Sequence, residues 1–368
     1  MGFSVDNIMN IYIIIWTLIC LFGIIFVYST KNYKIFLFLS FLIMALVLGF
    51  RGNNVGEDTQ MYLSIANATE GLSFMDILSE FPESTWSVDI HGYHNKVETF
   101  YLLFNKLIII LTGEAQWILI ITALISCFGF AKFIYDNSSD IFISTYVFLC
   151  ESIFMNAFNI TRQTLAMSIA INSYTCIKNK EYIKALFLIL IASLFHKSAL
   201  IYLFLFLIFI MNNKGISSKY ILIGCIVITQ SIPILYKIVM KFSPYYASYF
   251  QDGFWKASAN GIIILWIFEW CMLAYMCFKG IKNIDEYMIV ACTSIYLSIE
   301  IIALKYTGIS RIALYFKPFI LLLFTMFKKY FKKKDRFIYI IFIFTILAIL
   351  YFKSAGSTSR IYSTFMNN

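Results

Sequence analysis

An apolar run ends abruptly in a charged turn at residues 35–62, which read IFLFLSFLIMALVLGFRGNNVGEDTQMY. Residues 35–50 carry no charged side chain and suit the hydrocarbon core of a bilayer. Arg51, two acids and Tyr62 follow directly. Charge is costly beside lipid, so polar residues at such a boundary indicate function. The stretch therefore predicts a membrane span that leads into a polar site.

The composition of the whole chain is typical of a membrane protein. Of its 368 residues, 61% are hydrophobic and 13% are charged, and the mean hydropathy is +0.80. So little polar surface cannot cover a soluble domain. Most apolar runs are too long for strands, which predicts an all-α polytopic integral membrane protein with a single domain over residues 1–368. The first run lacks a basic region and a cleavage site and is a retained span.

Short polar breaks separate the spans that the apolar runs predict. They are residues 8–28, 35–50, 115–134, 141–158, 162–177, 183–195, 198–211, 220–239, 261–278, 286–304, 309–327 and 337–352. With shorter segments, we expect about 12 to 14 transmembrane or re-entrant helices.

Basic residues orient these spans through the positive-inside rule. The breaks predicted to be cytoplasmic hold Lys31, Lys34, Lys132, Lys178, Lys180, Lys184, Lys214, Lys219, Lys279, Lys282 and the basic run at 328–336. Arg51, Arg162, His196 and Arg311 then fall together on the outer face. This requires the short run 99–111 to be re-entrant or interfacial. If that run crosses instead, Arg51 and Arg162 are on opposite faces.

The long loop at residues 51–98 follows the second span and is predicted to be extracytoplasmic. It combines acids, Glu98 among them, with aromatic residues. Acids can accept hydrogen bonds from sugar hydroxyls, and aromatic rings can stack on sugar C–H faces. A solvated amphipathic loop has the same composition, so carbohydrate binding is one of two interpretations.

Arginines at three predicted outer helix ends favour an anionic substrate. The guanidinium group of Arg51, Arg162 or Arg311 can grip phosphate oxygens with two parallel hydrogen bonds, and can stabilise charge on a departing group. Alternatively, each arginine pairs with an intramembrane acid or extends to lipid head groups. The candidate acids for such pairing are Glu151, Glu269 and Glu300.

His196 and Asp58 are the candidates for proton transfer. His196 lies at a predicted outer turn, where an imidazole can take a proton from a sugar hydroxyl or simply cap a helix. Asp58 is four residues before Tyr62, so the two share a face if that segment is helical. Asp58 can equally be the ion-pair partner of Arg51.

Other ligand classes find little support in the sequence. The eight cysteines are scattered singly, and Asp89, His91 and His94 are irregularly spaced, so no metal site or disulfide is expected. No glycine-rich phosphate loop occurs. The formal charge of +9 reports membrane orientation, and no nucleic-acid partner is expected.

Four short motifs, in this order, resemble those of the EpsG-like, Wzy-type polysaccharide polymerases. They are FRGNNVGEDTQMY at 50–62, RQTLA at 162–166, FHKSAL at 195–200 and RIALYF at 311–316. The resemblance implies a GT-C-like glycosyltransferase of the bacterial cytoplasmic membrane, without a cofactor, whose active site faces outward. Such enzymes join repeat units carried on undecaprenyl diphosphate during O-antigen, capsule or exopolysaccharide synthesis. The implied partners are a lipid-linked donor, a lipid-linked acceptor and a chain-length regulator.

The resemblance also implies roles for individual residues. The predicted catalytic residues are His196, Asp58, Arg162 and Arg311, and the motif residues predicted to bind substrate are Arg51, Tyr62, Gln163, Lys197 and Tyr315. Glu98 of the loop and Glu300 of a predicted span lie outside the four motifs and are also predicted to bind substrate. The match does not settle which residue acts as the base. The family often has Thr-Asp where Glu57 precedes Asp58 here, which leaves open which of these two acids points inward. An O-antigen ligase and a lipid-linked oligosaccharide flippase are the alternatives, although the chain shows no internal repeat of the kind a flippase predicts.

Overall fold

The computed structural model describes residues 5–79, 85–90, 93–227, 229, 262–304, 307–356 and 362–365. Most of these residues are helical, and the predicted all-α polytopic membrane fold is confirmed. Among the described residues, four helical segments are long and apolar enough to cross a membrane, namely Ile11–Ser29, Gln116–Asn137, Ile284–Ala303 and Asp335–Ala355. Shorter apolar helices lie between them.

The chain divides into two compact units. The first comprises Met1–Leu200 and Phe344–Asn368, and the second comprises Ile201–Ile343. The single domain predicted over residues 1–368 stays a prediction. The last helix, α18 (Asp335–Ala355), contributes residues to both units.

The first unit contains eleven helices within the described part of the chain, together with most of α18. They are α1 (Val5–Phe22, continued by a π-helix at Gly23–Ser29), α2 (Tyr33–Gly49), α3 (Thr59–Ala68), α4 (Phe74–Ser79), α5 (Thr99–Thr112), α6 (Gln116–Asn137), α7 (Ile141–Cys150), α8 (Ile153–Asn156), α9 (Thr161–Ala170), α10 (Ser173–Lys178) and α11 (Tyr182–Phe195).

Close helix packing builds the core of the first unit around α6. This helix packs against α2 on one side and α9 on the other, and α9 in turn packs against α11. A side chain at Gly49 would meet the backbone of Ile120 at 2.8 Å, and one at Gly129 would meet the carbonyl of Ser168 at 2.7 Å. These two glycines therefore allow α2 and α9 to approach α6 closely.

Two predicted spans of this unit are interrupted helices. The span expected at 141–158 becomes α7 and α8, because Ser152 adopts a left-handed conformation with φ of 59° between them. The span expected at 162–177 becomes α9 and α10, which are separated by a turn. Runs of apolar residues predict burial in the membrane, but they do not indicate where a helix is interrupted.

The loop at 51–98 has secondary structure of its own. It holds α3, α4 and an antiparallel hairpin of β1 (Thr85–Ile90) and β2 (Tyr93–Glu98). The sequence analysis did not predict this hairpin. Its strands contain the β-branched and aromatic residues that favour extended backbone. The predicted loop residues Glu80, Glu83 and His91 lie outside the described residues.

The second unit is also helical. A 3-10 turn at Lys197–Leu203 leads from α11 into its first helix. Its helices are α12 (Phe204–Asn213), α13 (Ser218–Val227), α14 (Ile262–Lys279), α15 (Ile284–Ala303), α16 (Ser310–Ala313) and α17 (Phe319–Phe327). The helices α12, α14, α16 and α17 all pack against α15, which therefore forms the centre of this unit. The later part of the predicted span 220–239 lies outside the described residues.

Candidate functional site

Arg51 ties three helix ends of the first unit together. Its Nη1 donates to the carbonyl of Leu48 at the end of α2, at 2.6 Å. Its Nε donates to Thr59 Oγ1 at the start of α3, at 3.0 Å, and its Nη2 donates to Thr161 Oγ1 at the start of α9, at 2.9 Å. The residue is 1% exposed. These contacts fix where the motifs at 50–62 and 162–166 meet.

The buried charge of Arg51 forms no ion pair with a carboxylate among the described residues. Its guanidinium lies over the ring of Phe158, 5.8 Å from the centroid. Asp58, which the sequence offered as its ion-pair partner, occupies the N-cap position of α3. Burial lowers the pKa of Arg51 to about 10, which leaves it protonated at neutral pH. The positive charge is therefore stabilised by neutral hydrogen-bond acceptors and a ring.

The start of α6 lies at the same place as the end of α2. Gln116 Nε2 donates to the carbonyls of Gly49, at 2.7 Å, and Arg51, at 3.1 Å. The start of α5 is also nearby, because Glu98 pairs with Arg162, the neighbour of Thr161. The chain therefore enters α5 at this group of helix ends and returns to the group at Gln116, four residues after α5 ends. Between these points α5 packs against α3 and α4 of the loop and against α6.

The C-terminal segment at 362–365 joins this group of helix ends. The amide of Gly52 donates to the carbonyl of Ser363 at 2.8 Å, and the amide of Phe365 donates to the carbonyl of Phe50 at 3.2 Å. An isolated β-bridge between Arg51 and Thr364 results. The end of the chain therefore lies beside the first motif.

Glu98 is the centre of the charged network. Its Oε2 accepts a hydrogen bond from Arg162 Nη1 in an ion pair. Its Oε1 lies 3.1 Å from His196 Nδ1 and accepts from the backbone amide of Lys197, also at 3.1 Å. The residue is 8% exposed. One buried carboxylate thus joins the start of α5, the start of α9 and the end of α11.

The environment of Glu98 keeps its carboxylate ionised. Burial disfavours the charged form, but the hydrogen bond from His196 and the charge of Arg162 outweigh this effect, so the pKa of Glu98 lies below its ordinary value. Because an ionised carboxylate only accepts hydrogen bonds, its neighbours must act as donors.

Aromatic and polar side chains surround Arg162 on its inner side. Its guanidinium lies 5.5 Å from the ring centroid of Tyr101, and Tyr62 is a close neighbour. Arg162 Nε, Tyr101 Oη and both polar atoms of Asn105 are buried without a hydrogen-bond partner among the described residues. Buried polar atoms normally form hydrogen bonds. These unpaired atoms therefore give the inner side of Arg162 a polar lining.

The outer side of the network is open. The side chain of His196 is 25% exposed, and its Nε2 has no hydrogen-bond partner within the described ranges. Lys197 is exposed beside it, while Gln163 and Tyr62 are buried. His196 therefore offers a proton acceptor, and Lys197 offers positive charge, at one accessible place.

The other predicted site residues belong to the second unit. Arg311 is exposed on α16, and Glu300 is half-buried on α15. Tyr315 is fully buried, with its ring centroid 5.6 Å from that of Tyr202. The structure thus groups Arg51, Asp58, Tyr62, Glu98, Arg162, Gln163, His196 and Lys197 in one unit, and Arg311, Tyr315 and Glu300 in the other.

The sequence analysis missed three features of these units. Thr161 was not singled out, although it binds Arg51. Glu98 was selected only as one acid of a loop, because nothing local in the sequence indicates contacts with residues 64 and 98 positions away. Lys317 was not considered, yet it is 5% exposed and lies 5.5 Å from the ring centroid of Tyr296. A lysine within an apolar run was the available signal.

No potential metal centre occurs in the described part of the chain, where no three His, Cys, Asp or Glu side chains group suitably. Together, the helices and the charged network define a multi-pass membrane protein with a polar site at its helix ends.

The chain belongs to the EpsG family, whose family model matches residues 34–367. This match confirms the resemblance seen in the four motifs and indicates a membrane protein of the polysaccharide polymerase type. No curated protein and no solved structure matches the chain significantly.

Proposed function

We propose that this protein is a polysaccharide polymerase that joins oligosaccharide repeat units carried on undecaprenyl diphosphate. The growing glycan moves from its lipid to the non-reducing end of the next lipid-linked repeat unit, and undecaprenyl diphosphate is released. One observation carries this proposal beyond family membership: Glu98 holds Arg162 and His196 together where the helix ends of the first unit meet.

The chemistry required by this reaction matches these side chains. An acceptor hydroxyl oxygen attacks the anomeric carbon of the donor sugar, and the bond from that carbon to the diphosphate oxygen breaks. The hydroxyl proton passes to His196 Nε2. The charge that develops on the departing diphosphate is stabilised by Arg162. The diphosphate already activates the donor, so the step needs no nucleotide.

The distribution of lysines supports an outward-facing site in the cytoplasmic membrane. In the first unit, six lysines lie at helix ends remote from Arg51 and Glu98. They are Lys31 and Lys34 before and within the start of α2, Lys132 near the end of α6, Lys178 and Lys180 after α9, and Lys184 in the first turn of α11. Lysine-rich ends favour the cytoplasmic side, which puts the opposite ends outside.

The remaining residues receive roles within the same proposal. On the second unit, Arg311, Tyr315 and Glu300 contribute to substrate binding. Asp58, Tyr62, Gln163 and Lys197 shape the glycan site in the first unit. Arg51, with its buried hydrogen bonds, holds the start of α9 and hence Arg162 in place.

A reconstituted reaction tests the function. Purified protein in liposomes receives only lipid-diphosphate-linked repeat units, and glycan length and released undecaprenyl diphosphate are measured. The wild type should produce long glycans and one released lipid per linkage. Arg162→Ala and Arg311→Ala should abolish both products, while the control Lys132→Ala, at an exposed lysine remote from the site, should keep them.

Two results would contradict the proposal. The first is a wild type that makes no polymer from lipid-linked repeats but transfers glycan to a lipid A core when that acceptor is added, as a ligase does. The second is normal glycan length in both arginine variants, which would remove diphosphate stabilisation by arginine.

A further inference from the structure

We propose that Glu98 is the positioning residue of this site, holding His196 with Nε2 open to the acceptor and Arg162 beside it. This inference rests on the proposed function and deepens it. The sequence had suggested that Glu98 binds sugar as one acid of the loop. Its contacts in the structure are instead made to three groups of the protein itself.

The contacts of Glu98 determine the proton arrangement on His196. The ionised carboxylate can only accept, so the proton between Oε1 and Nδ1 belongs to Nδ1. In a neutral imidazole the lone pair then lies on Nε2. His196 Nε2 has no hydrogen-bond partner in the described part of the protein, and the side chain of His196 is more exposed than that of Glu98. His196 is thereby prepared to accept a proton from a substrate hydroxyl.

Glu98 itself is poorly suited to act as the base. Oε1 already accepts from His196 and from the amide of Lys197, and Oε2 accepts from Arg162. A general base must reach the substrate proton directly or through one water molecule, whereas this carboxylate is covered by its own partners. Its negative charge can instead stabilise the imidazolium that forms when His196 takes the proton.

The same carboxylate couples the base to the phosphate-binding cation. His196 and Arg162 are on different helices and bind different oxygens of Glu98. The charged or titratable groups that act on Glu98 are Arg162 on α9 and His196 at the end of α11. Tyr62 on α3 and Tyr101 on α5 act on Arg162. Losing the carboxylate should therefore displace both the proton acceptor and the cation.

Steady-state kinetics of Glu98→Gln in the reconstituted reaction test this role. The glutamine keeps the shape but turns an amide NH2 towards a cation, and a displacement of catalytic groups by about 1 Å can lower rates about 100-fold. We expect a loss of that size in kcat with a smaller change in KM. The control Glu70→Gln changes an exposed loop acid whose backbone, rather than its side chain, forms the hydrogen bonds seen among the described residues, with Asn67 and Lys106. It should leave both constants unchanged. A wild-type kcat in Glu98→Gln would overturn the proposal, whatever the change in KM.

Nitrogen-15 NMR of histidine-labelled wild type tests the proposed tautomer of His196 without relying on the activity of a variant. The His196 resonance, assigned with His196→Ala, should show a proton on Nδ1 and a lone pair on Nε2 at neutral pH. The opposite tautomer would overturn the role of Glu98. The two proposals can fail separately. If the wild type polymerises, Arg162→Ala does not, and Glu98→Gln behaves as wild type, only the proposal for Glu98 is refuted. If the wild type itself is inactive, the proposed function is refuted.

Discussion

Replacing Arg51 with methionine should destabilise the first unit markedly. Methionine is similar in length, but it removes the donors to Leu48, Thr59 and Thr161. Hydrogen bonds from charged donors contribute about 1.5–3 kcal/mol each. The substitution also removes the cost of burying a charge, which offsets part of this loss, so we expect a net loss in the free energy of unfolding of about 2–4 kcal/mol. Both threonine hydroxyls keep a carbonyl partner, which limits the damage.

Thermal unfolding of purified protein in detergent measures this loss. For a cooperative unit of roughly 200 residues, 1 kcal/mol corresponds to about 2 °C, so Arg51→Met should melt about 4–8 °C below the wild type. The matched control is Lys132→Met. Its side chain is 65% exposed and pairs only with Asp136 one turn away, and such pairs contribute about 0.5 kcal/mol or less.

Arg51→Lys distinguishes the structural role from a direct role in binding substrate. A lysine keeps the buried charge but cannot reproduce the three-way fork, so it should be at least as unstable as methionine. If Arg51 acted mainly through its charge on the substrate, lysine would retain most activity and methionine none. A methionine variant that melts within about 1 °C of the wild type would refute the reasoning.

Two further predictions concern acid stability and topology. Because the pKa of Glu98 is lower in the folded state, its contribution is complete above the ordinary glutamate value of about 4.3 and is lost as pH falls through the folded value. The melting temperature of the wild type should thus fall more steeply than that of Glu98→Gln as the pH is lowered below about 4.3; parallel curves would contradict this. In intact cells carrying Cys271→Ser, a membrane-impermeant maleimide should label Gln60→Cys but label Lys34→Cys only after permeabilisation. The reverse pattern would put the site in the cytoplasm.

Much of the fold follows from the distribution of apolar and charged residues. Long apolar runs predicted the membrane helices, and the end of α2 at Gly49 agrees with the predicted end of the span at residue 50. The end of α11 at Phe195 likewise coincides with the prediction. These boundaries are set locally, because a charged side chain such as Arg51 cannot continue a segment that faces lipid.

Tertiary contacts decided what the sequence could not. The break in the span at 141–158 depends on the left-handed backbone of Ser152, a residue with no strong preference for that conformation. The burial of Arg51 depends on Thr161, which is 110 positions away. The role of Glu98 depends on two other segments in the same way. Motif order indicated which segments matter, but only their packing showed which side chains touch.

The placement of the short run at 99–111 bears on an ambiguity of topology. By composition it suited either a crossing or an interfacial helix. In the structure, α5 has Glu98 at one end and is followed by Gln116, and both residues bind the same group of helix ends. The placement of α5 supports an arrangement in which Arg51 and Arg162 share one face.

A double-mutant cycle between Arg162 and His196 tests most directly that the network around Glu98 works as one catalytic unit. The rate of glycan transfer is measured for Arg162→Lys, His196→Gln, the double variant and the wild type in the reconstituted reaction. Residues that act as a unit give strongly non-additive losses. We predict that the double variant is no more than a few-fold slower than the slower single variant. A double variant whose loss equals the product of the two single losses would contradict the account.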